Sequence, residues 1–204
     1  MSRGGGVLIA LTNKFTCNQT KTYQSKYVDS CWVEINMVSG KWWLGVVYIS
    51  PNAPNSEYSS LFNFVTTIIN PGLHPNHHLL VTGDFNCPEY SLGIDTKNSR
   101  ELNLFSNFLQ LKQFNKVLNS NGRILDLIFS TADPNVSSCI EPLVPIDNYH
   151  PALTIELHIR APRTKPIVNC VDPPKRYLFS KGNYEMLYAL IRDTDFSSVQ
   201  TADN

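Results

Sequence analysis

The sequence predicts a mixed α/β sandwich, and three observations favour this fold class. Apolar segments typical of strands alternate along the chain with segments whose apolar residues recur at helical spacing. The 204 residues are enough for one ordinary domain and too few for two comfortable ones. Hydrophobic residues make up 42% of the chain and aromatic residues 11%, so it can bury a core and is not a disordered chain.

The first part of the chain predicts three strands and a helix. An apolar strand is expected over 7–11. The segments Ser30 to Met37 and Lys41 to Ile49 are rich in Val, Ile, Trp and Tyr, and the Ser39-Gly40 turn between them predicts a hairpin. From Glu57 to Ile69 apolar residues recur at helical spacing, which predicts the first helix.

The second part continues the alternation of strands and helices. The apolar strand Leu79 to Thr82 runs directly into Gly83-Asp84-Phe85-Asn86. Asn98 to Leu111 predicts a second helix, and two further strands are expected from Arg123 to Ser130 and from Ala152 to Ile159.

The chain changes character after residue 160. Between 160 and 181 four prolines break regular structure, and six basic residues stand against one acidic residue. We therefore divide the chain into an α/β domain over 1–160, a basic proline-rich linker over 161–182, and a terminal segment over 183–204 that begins with an amphipathic helix.

Charge and cysteine content argue against several classes of protein. The formal net charge is zero, which argues against binding to nucleic acid by bulk charge alone, although the linker leaves room for a local contact. The five cysteines form no C-x-x-C pair, which argues against a zinc site or a disulfide framework and favours a reducing, intracellular setting.

The apolar run over 7–11 is too short for a signal peptide, and no run approaches the roughly 20 residues that a membrane helix needs. We expect an intracellular protein that is neither secreted nor bound in a membrane.

Asp84 is the most informative polar residue. It directly follows an apolar strand, at the kind of strand end where α/β enzymes place catalytic groups. Gly83 allows close approach of the backbone, Asp84 can accept a proton, and Asn86 can donate to a charged oxygen. The alternative is a simple turn, because Gly-Asp and Asn-x-Pro are ordinary turn sequences.

Asp126, His150 and Tyr48 are further candidates. Asp126 is expected in the middle of an apolar strand, where an unpaired carboxylate is costly and a histidine is its natural partner. His150 precedes Pro151 at the start of a predicted strand, and Tyr48 ends another. Each residue has a plainer alternative, with Asp126 on a solvated strand face, His150 on the surface and Tyr48 in the core.

Five stretches of the chain resemble the endonuclease/exonuclease/phosphatase family, both in their residues and in their order along the sequence. More narrowly, they look like the endonuclease domain of a LINE-type (non-LTR) retrotransposon of the jockey sort. The resemblance covers roughly residues 3 to 195, and its most specific element is Gly-Asp-Phe-Asn. The matching stretches are Arg3-Gly4-Gly5-Gly6-Val7, Val47-Tyr48 through Pro51-Asn52, Gly83-Asp84-Phe85-Asn86, Leu125-Asp126-Leu127-Ile128, and Asp147 to Leu153.

The resemblance implies a four-layer α/β sandwich, incomplete at its N-terminus, that hydrolyses phosphodiesters with a divalent metal, Mg²⁺ or Mn²⁺. By the same resemblance, Asp84 would orient or deprotonate the attacking water. Asn86 would hold an oxygen of the scissile phosphate. Tyr48 would contact that phosphate, with Asn52 close by.

The histidine motif departs from the family pattern. The resemblance implies that Asp126 orients the histidine that stabilises the transition state. The family commonly reads Ser-Asp-His-x-Pro, whereas residues 147–151 read Asp-Asn-Tyr-His-Pro. Aligned on the proline, the Asp and His positions would hold Asn148 and Tyr149. Sliding the loop gives them instead to Asp147 and His150; we favour the slide, which makes Asp147 a metal ligand.

A second departure concerns the start of the domain. In the family, an Asn and a metal-binding Glu precede the glycine element, and here Met1 stands three residues before it. We therefore expect those ligands to be absent from this chain and its activity to be weak or lost.

The resemblance also implies partners. The substrate would be DNA, nicked so that its 3′ end primes reverse transcription, within a longer polyprotein that has a reverse transcriptase and reaches the nucleus. Arg163 and Lys165 in the linker are the candidates for contact with the DNA backbone. Two alternatives stay open: a non-catalytic fragment that binds nucleic acid through the basic linker, and a phosphatase of the same fold.

Overall fold

A computed structural model describes residues 6–37, 40–69, 77–143, 145, 147–157, 186 and 192. All but the last two positions belong to the first of two compact units, Met1–Thr164, and the fold below is that of this unit. The predicted linker over 161–182 and nearly all of the terminal segment over 183–204 lie outside the described residues.

A six-stranded sheet forms the centre of this unit. Its strand order is β1-β2-β3-β4-β6-β5, with β3 and β4 parallel and every other neighbouring pair antiparallel. The parallel pair is possible because a helix connects its two strands. The strands are β1 (Cys17–Gln24), β2 (Val28–Met37), β3 (Gly40–Ile49), β4 (His77–Asp84), β5 (Lys112–Gln113) and β6 (Asp126–Ser130).

Three helices and a small second sheet complete the described elements. The helices are α1 (Asn55–Ile69), α2 (Pro88–Leu92) and α3 (Lys97–Phe108). The second sheet pairs β7 (Asn135–Ser138) with β8 (Leu153–Glu156) in antiparallel fashion. In the described part of the chain, no helix is both long and apolar enough to cross a membrane.

One face of the large sheet packs against α1 and α3. The core on this face is aromatic: Phe62 of α1 stacks on Phe105 of α3 with ring centroids 4.2 Å apart, and Phe85 meets Phe129 of β6 edge to face at 5.5 Å. Phe85 and Phe129 are fully buried. Because successive strand residues point to opposite faces, Leu127 and Phe129 contribute to this core while their neighbours in β6 do not.

The other face of the large sheet has a smaller apolar cluster. It is centred on Val33, Ile35, Trp42, Leu80 and Ile128, and partly buried side chains from the second sheet pack against it. The described residues thus form three layers: helices, the large sheet, and the two-stranded sheet. The predicted α/β class is confirmed.

Most predicted elements are present, and the exceptions have physical causes. The β2–β3 hairpin, α1, α3, β4 and β8 lie where the pattern placed them, within a few residues. Residues 7–11, predicted as a strand, form none, although Ile9 packs against the smaller apolar cluster. β1 was not predicted, because its sequence is almost entirely polar and it lies at the edge of the sheet.

Candidate active site

A row of polar side chains crosses one end of the large sheet. Asp29 pairs with Tyr48, Tyr48 with Asp84, and Asp84 with Asp126, so these four residues occupy matching positions on β2, β3, β4 and β6. Residues directly opposite each other project from the same face of a sheet. The row therefore lies on the face that carries the smaller apolar cluster, at the carboxyl end of the parallel strands.

Gly83 brings β3 and β4 together beside this row. Its φ is +139°, and a Cβ placed there would overlap the carbonyl group of Val47. Only glycine fits this close approach without moving the strands apart. Gly83 therefore allows β3 and β4 to approach closely next to the Tyr48–Asp84 pair.

Asn86 fixes the Asp84 carboxylate from both sides. Its backbone N–H donates to Asp84 Oδ1 at 3.0 Å, and its Nδ2 donates to Asp84 Oδ2 at 2.7 Å and to the Ile49 carbonyl at 2.8 Å. Asn86 has a φ of 47°, in the left-handed region that Asn tolerates better than most residues. Because the amide group already donates to Asp84 and Ile49, it acts in this arrangement on the carboxylate; contact with a phosphate oxygen stays a prediction.

The turn after β4 is anchored at Phe85. The Tyr58 hydroxyl of α1 donates to the Phe85 carbonyl at 2.8 Å, and the Phe85 N–H donates to the Leu125 carbonyl at 3.1 Å. Burial is the main cause that raises the pKa of Tyr58, so its hydroxyl stays protonated and able to donate. These bonds connect the Asp84 turn to the helical layer and to the residues before β6.

His150 lies between two carboxylates. Its Nδ1 is 3.1 Å from Asp126 Oδ2, and its Nε2 is 3.7 Å from Asp84 Oδ2. Since a carboxylate can only accept, Nδ1 carries the proton in the bond to Asp126. Asp84, Asp126 and His150 are called the carboxylate–histidine cluster below.

Asn119 and Ser120 hold the loop that carries His150. Asn119 Nδ2 donates to the Tyr149 carbonyl at 3.2 Å, and the Ser120 N–H donates to the Asn148 carbonyl at 2.9 Å. Asn119 is only 8% exposed, and its Oδ1 accepts from two backbone N–H groups of its own turn. The sequence analysis missed this residue; the Asn-Ser-Asn-Gly turn was its only local signal.

The pKa values in the cluster are displaced by burial and charge. Burial raises the pKa of Asp84 to about 6, and the nearby Asp126 charge adds to the rise while His150 and Asn86 oppose it. Burial also raises the pKa of Asp126, against the attraction of His150. Burial lowers the pKa of His150, but the charges of Asp126 and Asp84 outweigh this, so the net shift is upward.

The remaining predicted residues lie at different places. Tyr48 is half-buried within the polar row, and Asn52 is exposed in the loop after β3. Asp147 is exposed, and its Oδ1 accepts from the Tyr149 N–H at 2.8 Å. Arg163 and Lys165 lie outside the described residues.

One position differs from the sequence analysis, and a second observation concerns the register of the histidine motif. Asp126 is the first residue of β6, at the sheet end, and not in the middle of a strand as predicted. His150 is the residue of this loop that contacts Asp126. The neighbouring Tyr149 side chain is 58% exposed. Both details place the polar groups at one edge of the sheet.

The donor set of the cluster fits a hard divalent cation. Ligand atoms of its three residues lie within 4.8 Å of one another. Mg²⁺ prefers oxygen ligands and often uses one or two carboxylates. A cation here would also neutralise two negatively charged carboxylates that repel each other. His150 is a poorer ligand because its Nδ1 bonds to Asp126. Asp84 and Asp126 are therefore the residues that could hold the ion; Asp147 does not belong to the cluster that the described residues form.

Comparison with known proteins yields similar structures but no matching sequence. No protein-family model and no curated protein sequence matches the chain. The endonuclease domain of TRAS1, a telomere-specific non-LTR retrotransposon, is similar over 70% of this chain and 67% of that domain, at 17% identity and a TM-score of 0.48. The human Nocturnin catalytic domain is similar over 72% of this chain, at 15% identity and a TM-score of 0.47.

A bacterial structure from Leptotrichia buccalis is described as an endonuclease/exonuclease/phosphatase family protein. It is similar over 53% of this chain and 44% of its own length, at 20% identity and a TM-score of 0.32. This chain spans 62% of the Nocturnin catalytic domain, so it matches only part of that structure.

Proposed function

We propose that this protein hydrolyses phosphodiester bonds at the carboxylate–histidine cluster. The observation that supports this most is the position of His150 between Asp84 and Asp126, which come from two neighbouring strands of the sheet. A buried turn could explain Asp84 alone, but it does not require a histidine and a second carboxylate within ion-pair distance. Perturbed pKa values in such a group favour a catalytic role.

Asp84 would accept the proton of the attacking water. With a pKa of about 6 in the metal-free chain, it is already ionised at neutral pH and so available as the proton acceptor. Asn86 holds both of its oxygens and so fixes the direction in which the carboxylate can accept. A fixed base is worth more than a mobile one because its orientation is settled before reaction.

His150 would neutralise charge that grows on the phosphate. Its raised pKa keeps the imidazolium populated closer to neutral pH, and the bond from Nδ1 to Asp126 leaves Nε2 as the donor towards substrate. Asp126 would act through His150 as a positioning residue. Tyr48, in the same row, would contact the phosphate, and Asn52 lies in the loop that follows it.

The charges of this site favour a divalent cation during catalysis. Asp84, Asp126 and the nearby Asp147 outnumber the single positive charge of His150, so a phosphodiester anion would be repelled by the site alone. Mg²⁺ or Mn²⁺ on Asp84 and Asp126 would supply the missing positive charge and polarise the phosphoryl group. We expect hydrolysis to depend on added metal for this reason.

We further propose DNA as the substrate and target-primed reverse transcription as the setting. The five motif stretches resemble the endonuclease of a jockey-like retrotransposon, and residues 160–181 include six basic residues against one acidic residue. Arg163 and Lys165 would contact phosphates through that linker. The protein would then be part of a polyprotein with a reverse transcriptase and would need access to the nucleus.

The test is a nicking assay at high enzyme concentration. Supercoiled plasmid is incubated with the chain and Mg²⁺ or Mn²⁺, and hydrolysis of methyl 4-nitrophenyl phosphate is followed in parallel. We expect metal-dependent turnover that falls by about 10²- to 10⁴-fold in Asp84→Asn and His150→Gln, as loss of a general base or of a charge-stabilising group does elsewhere.

Asp133→Asn is the matched control, because Asp133 is an exposed carboxylate that pairs with Lys112 away from the cluster. It is expected to leave turnover unchanged. Turnover that persists in Asp84→Asn, or that does not need a divalent metal, would contradict the proposed mechanism. Binding of plasmid that depends on salt but produces no cleavage would support the non-catalytic alternative instead.

A further inference from the structure

A pocket lies beside His150, and Asp84 is not among its lining residues. Its volume is about 370 Å³, and its wall includes Cys139, Pro142 and Pro151 together with His150 itself. The wall is mostly apolar, and Asp147 is one of its lining residues. Pockets that take small organic groups usually begin at about 300 Å³ and combine apolar walls with a few polar groups.

The same loop also presents unusual apolar side chains to solvent. Ile140 and Leu143 are 95% and 104% exposed, the highest values for large apolar side chains among the described residues. Single exposed apolar residues are ordinary, but here two of them lie on one short loop that also forms a pocket and leads to His150. Exposed Tyr149 is adjacent to His150.

From this juxtaposition we infer that Ile140, Leu143 and the pocket beside His150 bind nucleobases next to the phosphodiester on which His150 acts. The inference rests on the proposed function for the position of the phosphate. It adds a base-binding surface: the pocket would receive one base, while Ile140 and Leu143 would pack against the faces of bases in the same strand.

Charge and shape favour a neutral, planar occupant. The Asp147 carboxylate in the pocket wall disfavours an anionic group there, so the phosphate would stay at the carboxylate–histidine cluster and the uncharged base would enter the pocket. The proline rings offer flat apolar surfaces, and the Asp147 carboxylate can accept from a base N–H group. Apolar side chains that insert beside bases are a known way to contact nucleic acid without reading phosphates.

The experiment separates bases from phosphates. Fluorescence anisotropy, in EDTA to prevent cleavage, measures the Kd of a labelled oligothymidylate and of an abasic phosphodiester oligomer of equal length and charge. We expect the oligomer with bases to bind on the order of tenfold more tightly, as for an apolar pocket that gains or loses its preferred group.

The double variant Ile140→Ser/Leu143→Ser tests the assignment to this loop. Both side chains are exposed, so the variant is expected to fold, and its preference for the oligomer with bases should disappear. Leu104→Ser is the matched control, because Leu104 is 65% exposed on α3, and it should keep the preference. Equal binding of the two oligomers by the unchanged chain, or an unchanged preference in the double variant, would overturn the inference.

A second measurement locates the base within the pocket. The rate of Cys139 alkylation by iodoacetamide, followed by peptide mass spectrometry, should fall when thymidine is added and stay constant when deoxyribose is added. Protection by deoxyribose alone, or none by thymidine, would overturn the pocket assignment. Neither measurement requires turnover, so a failure of the hydrolysis assay leaves both interpretable.

Discussion

The two faces of the large sheet are built from the same strands but serve different ends. On the helical side, Leu127 and Phe129 of β6 are fully buried in an aromatic core. On the other side, Asp126 and Asp84 share one end of the sheet with His150, and their pKa values are raised mainly by burial. The helical face therefore stabilises the fold, while the other face holds partly buried charges that destabilise it and that the proposed reaction uses.

This difference follows from the strand period of two residues. A change at Phe129 and a change at Asp126 lie three positions apart on one strand, yet they act on opposite sides of the sheet. Substitutions on the two faces should therefore separate stability from activity.

Phe129→Ala should cause the largest loss of stability. Phe129 is fully buried and contacts the rings of Phe85, Tyr90 and Phe105, so truncation leaves a cavity in the aromatic core. We expect the free energy of unfolding to fall by about 3–5 kcal/mol in urea denaturation. Phe108→Ala, at a ring that is 66% exposed, is the control and should change it little. Similar losses in the two variants would contradict the assignment of the core.

Asp126→Asn should act on catalysis more than on stability. We expect kcat/KM to fall by about 10²- to 10³-fold, because the residue that orients and charges His150 is lost. The Asp126 charge raises the pKa of His150, so its removal lowers that pKa and moves the alkaline limb of the pH–rate profile to lower pH. An alkaline limb that stays in place would show that His150 is not the protonated group.

Much of the stabilising face could be predicted from the sequence. The β2–β3 hairpin and helices α1 and α3 have strong apolar periodicity, and their positions follow from residues close in sequence. The residues of the carboxylate–histidine cluster were candidates from the sequence, Asp84 and His150 because they stand next to predicted strands and Asp126 because a carboxylate in an apolar strand needs a partner. Their roles stay predictions until activity is measured.

The contacts between residues far apart in the sequence could not be predicted. The register that sets Asp84 opposite Asp126 depends on how β4 meets β6, and no local pattern fixes it. The bond from Asn119 to the Tyr149 carbonyl joins residues thirty positions apart. The apolar residues before Asp126 extend the strand pattern backwards, which is why this carboxylate was predicted inside a strand when it begins one.

Asp84→Asn should increase stability at neutral pH. The folded-state pKa of Asp84 is about 6, above an unfolded value of about 3.9, so the unchanged chain loses stability as pH rises from about 4 to about 6. Asn does not titrate and avoids this loss. In EDTA we expect a gain of about 1–2 kcal/mol at pH 8, after allowance for partial solvent screening, and almost none at pH 4.

Asp95→Asn is the control for this prediction, because the pKa of Asp95 is lowered where that of Asp84 is raised. Its bonds with Arg100 hold the pKa of Asp95 below the usual range, so the interaction stabilises the fold above the unfolded pKa and is lost as pH falls. This exposed substitution should give no gain at pH 8. A gain as large as that of Asp84→Asn would mean that general charge reduction, rather than burial at the cluster, explains both.

Asn119→Asp should have the smallest effect and tests how the His150 loop is held. The carboxylate can still accept from the N–H groups of Asn121 and Arg123, but it cannot donate to the Tyr149 carbonyl. Loss of one neutral hydrogen bond predicts a change of about 1 kcal/mol in stability. A loosened His150 should lower kcat by roughly tenfold, while KM changes little.

Asn121→Asp adds the same charge at an exposed position of the same turn and should leave kcat unchanged. An NMR titration of the His150 ring adds a readout that a purely structural role would not move. If Asn119 positions the loop, the pKa of His150 should fall towards its ordinary value in Asn119→Asp, because the ring spends less time beside Asp126. An unchanged His150 pKa together with a reduced kcat would show that Asn119 affects catalysis through another part of the loop and not through the contact of His150 with Asp126.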